Sequence, residues 1–393
     1  MIQLNENSHV GVIGSGTMGT GIAQLAATSG HQTILYDVSK KALKQAEDKM
    51  EKILTKLVGK EKLTEEQADQ ISGRIKYTSE IKDMEKSGLI IEAVVEDPEV
   101  KAKVFKKIDK LTKGNAVLAT NTSSLSIASI SANVKHPQNV VGVHFFNPAP
   151  VMPLVEIVPS LITSESILVE TKLMIDNWGK TTVVAKDTPG FIVNRIARPF
   201  YGEALRILEE GTASIATIDW IMRELGGFKM GPFELMDFIG NDVNYKVNEK
   251  VFEQMFFDPK YRPSITHKRL VEAGLFGRKT GIGFYDYRKG AKNPEPKKDR
   301  DLGKQIFYRI IYMLVNEAAE ALRLNIASKN DIETAMLKGV NYPKGLLKWA
   351  DELGIEEVLT GLELLHDDYG DDRYRPSILL RKMAIDNKRF FKA

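Results

Sequence analysis

The chain has 393 residues, 43% hydrophobic and 27% charged, enough for two or three domains with full cores. Lysine and arginine total 55 against 52 acids, and a net charge of +3 argues against nucleic acid as the main partner. Cysteine is absent, which excludes disulfides and thiolate chemistry and suits the cytoplasm; no apolar run approaches membrane-spanning length, the first residues lack a signal-peptide pattern, and the six histidines show no metal-ligand spacing.

The first element is a short β-branched run, residues 9–13, that leads directly into Gly14-Ser15-Gly16-Thr17-Met18-Gly19. A helical stretch follows over 20–29, then a second apolar run over 33–36 that ends on Asp37. This order has a physical reading. Gly14 permits a sharp turn, Gly16 lets backbone approach a pyrophosphate, and Gly19 lets the helix pack close to the strand. The helix N-terminus then offers free N–H groups to phosphates. Asp37 is placed to bond adenosine ribose hydroxyls, and its charge disfavours a 2′-phosphate, so the expected cofactor is NAD.

Residues 39–57 carry an apolar stripe at helical spacing, with a lysine-rich opposite face. That face reads either as a solvated surface or as a seat for an anionic ligand such as coenzyme A. Thr64 starts a second, capped helix. Strands are expected at 75–78, 89–95, 116–120 and 140–144, with a helix over 98–111. Alternating strands and helices predict an open, mostly parallel sheet whose ligands lie beyond the carboxyl ends of the strands. Asp37, Glu92–Glu96, Asn121–Ser124 and His144 would share that rim. A last sheet-like run over 181–185 leads to a junction at 186–190.

From Phe191 onward strand signals largely vanish. Helices are expected over 191–210 and 213–225, and 288–300 is polar, basic and proline-containing, as a linker is. Beyond it the helical unit recurs. A shift of 114 aligns Glu203-Ala204 with Glu317-Ala318, Ala213-Ser214 with Ala327-Ser328, Gly231 with Gly345, Asp237 with Asp351 and Gly240 with Gly354. A shift of 113 aligns Tyr261–Ser264 with Tyr374–Ser377. Asn194 aligns with Tyr308, so the second copy is read as structural. The domains are expected at 1–187, 188–287 and 303–393: a Rossmann-type α/β domain followed by two tandem all-α domains.

The segments GSGTMGTGIAQLAATSGH, EAVVEDPEVKAKVF, NTSSLSI, GVHFFNPAPVMPLVEIV and KDTPGFIVNRI, in that order, resemble the L-3-hydroxyacyl-CoA dehydrogenases, including the 3-hydroxybutyryl-CoA dehydrogenases. The likeness extends to about Tyr287. It implies His144 as catalytic base, Glu156 as its orienting partner, and Ser123 and Asn194 as contacts to the substrate oxygen. It implies an NAD site of Gly14, Gly16, Thr17, Met18, Gly19 and Asp37, with Glu96, Lys101 and Asn121 on the nicotinamide side and Lys60 near the CoA phosphates. The residue types suit the chemistry. Imidazole takes and returns a proton near neutrality, and a carboxylate on its other nitrogen fixes the tautomer. The expected enzyme is a monofunctional, cytoplasmic, NAD-dependent 3-hydroxyacyl-CoA dehydrogenase acting on an acyl-CoA, with no metal. It is expected to be a monomer or homodimer, the second helical copy standing in for a partner subunit. The alternatives are an L-gulonate dehydrogenase-like sugar-acid enzyme, which needs no CoA groove, and a non-catalytic NAD-binding protein.

Overall fold

A computed structural model describes residues 2–392. The chain divides into two compact units, 1–188 and 189–393. Among the described residues no helix is long and apolar enough to cross a membrane.

The first unit holds one eight-stranded sheet: β1 (Val10–Ile13), β2 (Thr33–Tyr36), β3 (Ile75–Thr78), β4 (Leu89–Glu92), β5 (Val117–Thr120), β6 (Val140–Phe145), β7 (Leu154–Pro159) and β8 (Thr181–Val184). The order is β3-β2-β1-β4-β5-β6-β7-β8. Strands β1, β2, β4 and β5 are buried throughout, which is why they read as unbroken apolar runs. Helices α1 (Thr17–Thr28), α2 (Lys40–Val58), α3 (Glu65–Gly73), α4 (Pro98–Thr112), α5 (Ile127–Ser131) and α6 (Glu165–Asn177) complete the unit. Thr64 and Gln67 form the expected capping box of α3. The chain order reverses direction between β1 and β4, the position where open α/β sheets open a crevice. One strand departs from the sequence expectation. The apolar segment around Glu156 is β7, antiparallel to β6, with His144 directly opposite Glu156.

The second unit is helical: α7 (Val193–Ile196), α8 (Arg198–Glu209), α9 (Ile215–Glu224), α10 (Pro232–Ile239), α11 (Asn241–Gln254), α12 (Ile265–Glu272), α13 (Arg300–Arg323), α14 (Lys329–Gly339), α15 (Leu346–Leu353), α16 (Ile355–Tyr369) and α17 (Ile378–Ile385). The expected single helix over 191–210 is broken at Ala197, and Pro199, which has no N–H to donate, sits in the first turn of α8.

The repeat is visible in bonds as well as letters. Asp219 caps α10 through the N–H groups of Phe233 and Glu234, and Glu333 caps α15 through those of Leu347 and Lys348. Asp237 accepts from the backbone of Phe284 and Tyr285, and Asp351 from that of Phe390 and Phe391. The two copies meet along α8 and α13 through reciprocal buried bonds. Arg195 pairs with Glu317 at 2.6 Å while Arg309 pairs with Glu203 at 3.1 Å. Tyr261 donates to Glu317, and Tyr374 donates to Glu203 at 2.8 Å. Each copy supplies one arginine, one glutamate and one tyrosine in matched places, the pattern of an isologous two-fold interface.

Breaking one of these pairs leaves a buried carboxylate without its cation. Arg195→Met is expected to lower unfolding stability by about 3–5 kcal/mol, read as a lower urea midpoint. An unchanged midpoint would show that the pair does not hold the copies together.

Candidate active site

The glycine loop forms as its letters require. Gly14 adopts φ +100°, and a Cβ there would meet the Ala93 carbonyl oxygen at 2.7 Å. A Cβ on Gly19 would fall 1.7 Å from the Gly14 carbonyl oxygen, so α1 packs against the loop only with glycine there. Gly16 has open space in front of it and is the N-cap of α1, with no side chain capping the helix. Its amide end faces a cavity of about 720 Å³ lined by Gly14, Ser15, Gly16, Thr17, Asp37 and Val38, among others. Met18 instead packs against the core.

Asp37 is held from three sides. Its carboxylate accepts from the Ser15 N–H and hydroxyl, both at 2.8 Å, and from the Ser39 N–H at 2.9 Å. Two exposed apolar side chains, Val38 at 82% and Val95 at 67%, line the same cavity. An uncapped helix end, a fixed acid and two exposed apolar walls fit the phosphates, ribose and adenine of a dinucleotide.

Beside the cavity, the carboxyl ends of β4 and β5 carry a buried polar network. The Lys101 ammonium lies 2.7 Å from Glu92 and 3.2 Å from Glu96. Glu92 also accepts from Thr120 and the Val94 N–H, each at 2.7 Å. Glu96 accepts from Thr122, the Ser123 N–H and the Ser124 hydroxyl. Burial alone would raise the Glu96 carboxyl, but the Lys101 charge and these hydrogen bonds outweigh it and hold it below the usual range. Asn121 accepts from the Phe145 N–H at 2.9 Å, tying the end of β5 to the residue after His144.

His144 and Glu156 form the other cluster. Their Nδ1···Oε2 distance is 2.6 Å and both side chains are buried. The bond follows from strand register, because directly opposed residues on antiparallel strands project to the same face. The Phe146 ring lies 4.6 Å from the imidazole centroid. The loop joining β6 to β7 is clamped by Lys180, whose ammonium donates to the Ala149 carbonyl at 2.6 Å and the Met152 carbonyl at 2.8 Å. Burial depresses the Lys180 pKa, and its carbonyl partners carry no charge to offset that.

The first unit thus joins His144 to Glu156, and Glu96 and Lys101 to the Ser123 loop. Asn194 lies half-buried on α7 of the second unit. Lys60 is exposed in the turn after α2 and takes no part in either cluster. Sequence reasoning passed over Lys180 and treated Glu92 only as part of a rim. A lysine before a strand carries no signal of its own. A carboxylate ending an otherwise apolar strand, nine residues before a lysine, was the available clue to the Glu92–Lys101 pair.

The chain matches the 3-hydroxyacyl-CoA dehydrogenase NAD binding domain over residues 9–188. It matches the C-terminal domain of that family twice, over 190–287 and 306–390. It is 36% identical to the 3-hydroxyadipyl-CoA dehydrogenase of Escherichia coli K12, over 96% of this chain and 97% of that protein. It is 38% identical to the 3-hydroxybutyryl-CoA dehydrogenase of Mycobacterium tuberculosis H37Rv, where 71% of this chain covers 98% of the relative. A crystal structure of 3-hydroxybutyryl-CoA dehydrogenase from Escherichia coli K12 superposes with a TM-score of 0.91 at 37% identity, covering 97% of this chain and 99% of that one.

Asp37→Ala is expected to weaken NADH binding by about 10- to 100-fold, the loss of a charged hydrogen-bond acceptor, and to narrow the preference over NADPH. Fluorescence titration of both nucleotides measures this. Equal NADH affinity in the variant would remove Asp37 from the cofactor site.

Proposed function

The chain belongs to the 3-hydroxyacyl-CoA dehydrogenase family, and on that premise we propose that it interconverts an L-3-hydroxyacyl-CoA and its 3-ketoacyl-CoA with His144 as the general base. The observation that carries this reading is the buried His144–Glu156 bond on paired strands. NAD, which the glycine loop and Asp37 would hold, would supply the hydride acceptor for carbon 3. The Glu156 carboxylate holds the imidazole Nδ1–H, which leaves Nε2 to take the hydroxyl proton as the carbonyl forms. Glu156 then stabilises the imidazolium, and in the reverse direction the same proton returns to the alkoxide. Ser123 and Asn194 are the donors assigned to the substrate oxygen. The Glu92–Lys101–Glu96 network holds the Ser123 loop in place. Lys60 is assigned to the CoA phosphates, and the cytoplasmic location read from the composition belongs to the same proposal.

The second helical copy takes the place of a partner subunit in this proposal. The reciprocal Arg–Glu and Tyr–Glu bonds support it, since they are what a symmetric pair of separate chains would make. Light scattering is expected to give the 43.9 kDa of a single chain. An obligate dimer would count against this arrangement.

His144→Gln is expected to bind NADH as the parent does and to reduce acetoacetyl-CoA about 10²–10⁴-fold more slowly, the usual worth of a positioned acid–base group. The readouts are NADH fluorescence for binding and NADH absorbance for turnover. Near-normal turnover would remove His144 from the mechanism.

A further inference from the structure

The cofactor cavity of the first unit carries an uneven charge. Its lining includes one acid, Asp37, and three lysines, Lys49, Lys103 and Lys107. The unit as a whole is not basic: residues 1–188 hold 22 lysines and arginines and 22 aspartates and glutamates. Positive charge is therefore gathered at this cavity. The three lysines are also left without close neutralisation. Lys44, five residues earlier on α2 and outside the lining, pairs with both Glu47 and Asp48 at 3.1 Å. Among the described residues no carboxylate pairs with Lys49 or Lys107. Lys103 reaches only Glu99, at 4.0 Å, with both side chains exposed.

Helix periodicity puts them there. Ala42, Ala46 and Lys49 recur at the spacing of one face of α2, as Val100, Val104 and Lys107 do on α4. The first turns of both helices give the cavity small or apolar side chains, and the lysines stand one to two turns further along. All three are exposed, which decides what they can do. An exposed ammonium makes a weak contact, because water and salt screen it and its flexible stem loses entropy when held. Its field still reaches about 10 Å into solution at 0.1 M ionic strength. Like charges gathered at a cleft act on the approach of an oppositely charged ligand more than on its departure. The glycine loop, the α1 N-terminus and Asp37 hold no cationic side chain, so the lysines supply an attraction that the seat itself lacks.

We propose that Lys49, Lys103 and Lys107 form an electrostatic collar that draws the anionic dinucleotide into the cavity, setting its association rate while the glycine loop and Asp37 set its dissociation. This rests on the NAD reading above and assigns to that site three residues that govern how fast the cofactor is captured.

The test is stopped-flow NADH fluorescence at increasing sodium chloride. For the unaltered protein kon is expected to fall about 10-fold between low and high salt, the lower end of the range for steered association. Combining Lys49→Gln, Lys103→Gln and Lys107→Gln is expected to lower kon about 10-fold at low salt, to flatten its salt dependence and to leave koff within about twofold. Combining Lys289→Gln, Lys292→Gln and Lys298→Gln removes the same charge from outside the cavity and is expected to keep the parent's rate. The wild-type salt dependence needs no variant, so poor folding of either cannot shield the proposal. NADH binding whose kon does not respond to salt overturns the collar and leaves the cofactor site standing. So does a loss that appears in koff rather than kon, or an equal loss in the variant altered outside the cavity. Absence of NADH binding to the unaltered protein overturns the cofactor reading, and the collar with it.

Discussion

The proposed chemistry of this protein depends on one antiparallel strand pair in a sheet whose other pairs are parallel. In an all-parallel sheet His144 would end its strand alone, with its neighbours separated from it by long crossovers. Because β7 returns antiparallel to β6, Glu156 lies directly across from His144 and reaches its ring nitrogen at 2.6 Å. The bond is set by strand register rather than by flexible loops, and a one-residue slip would turn one side chain to the opposite face. Asn121 secures β6 at the next residue, and Lys180 fixes the loop between the two strands. These contacts determine where the imidazole points.

Around that pair the first unit separates two tasks. The glycine loop, the α1 N-terminus and Asp37 line one cavity, a surface in which backbone groups predominate. The Glu92–Lys101–Glu96 chain is a buried electrostatic frame whose members satisfy one another and hold the Ser123 loop. A half-satisfied network of this kind would be costly, and each carboxylate here accepts several donors.

Much of this was legible in the letters, because the relevant constraints are local. A glycine loop between a strand and a helix needs particular residues at particular offsets, and Gly14 and Gly19 show why: a Cβ on either would collide with backbone. Parallel buried strands announce themselves as apolar runs. The repeat was readable because Glu203 and Glu317, or Asp237 and Asp351, each perform the same bond twice. What could not be read was pairing at a distance. Nothing in the run of apolar residues around Glu156 told strand from loop, and nothing local marks Lys180 as a clamp on carbonyls some thirty residues earlier.

The covalent joining of the two helical copies has a consequence for what each is free to become. In a dimer of identical chains every substitution appears on both sides of the axis, so a change that helps one site is imposed on the other. Here, under the 114-residue shift, Arg198 aligns with Tyr312, Phe228 with Tyr342 and Asn194 with Tyr308. Fusion releases the protein from two-fold equality, and one half can specialise while the other keeps the scaffold.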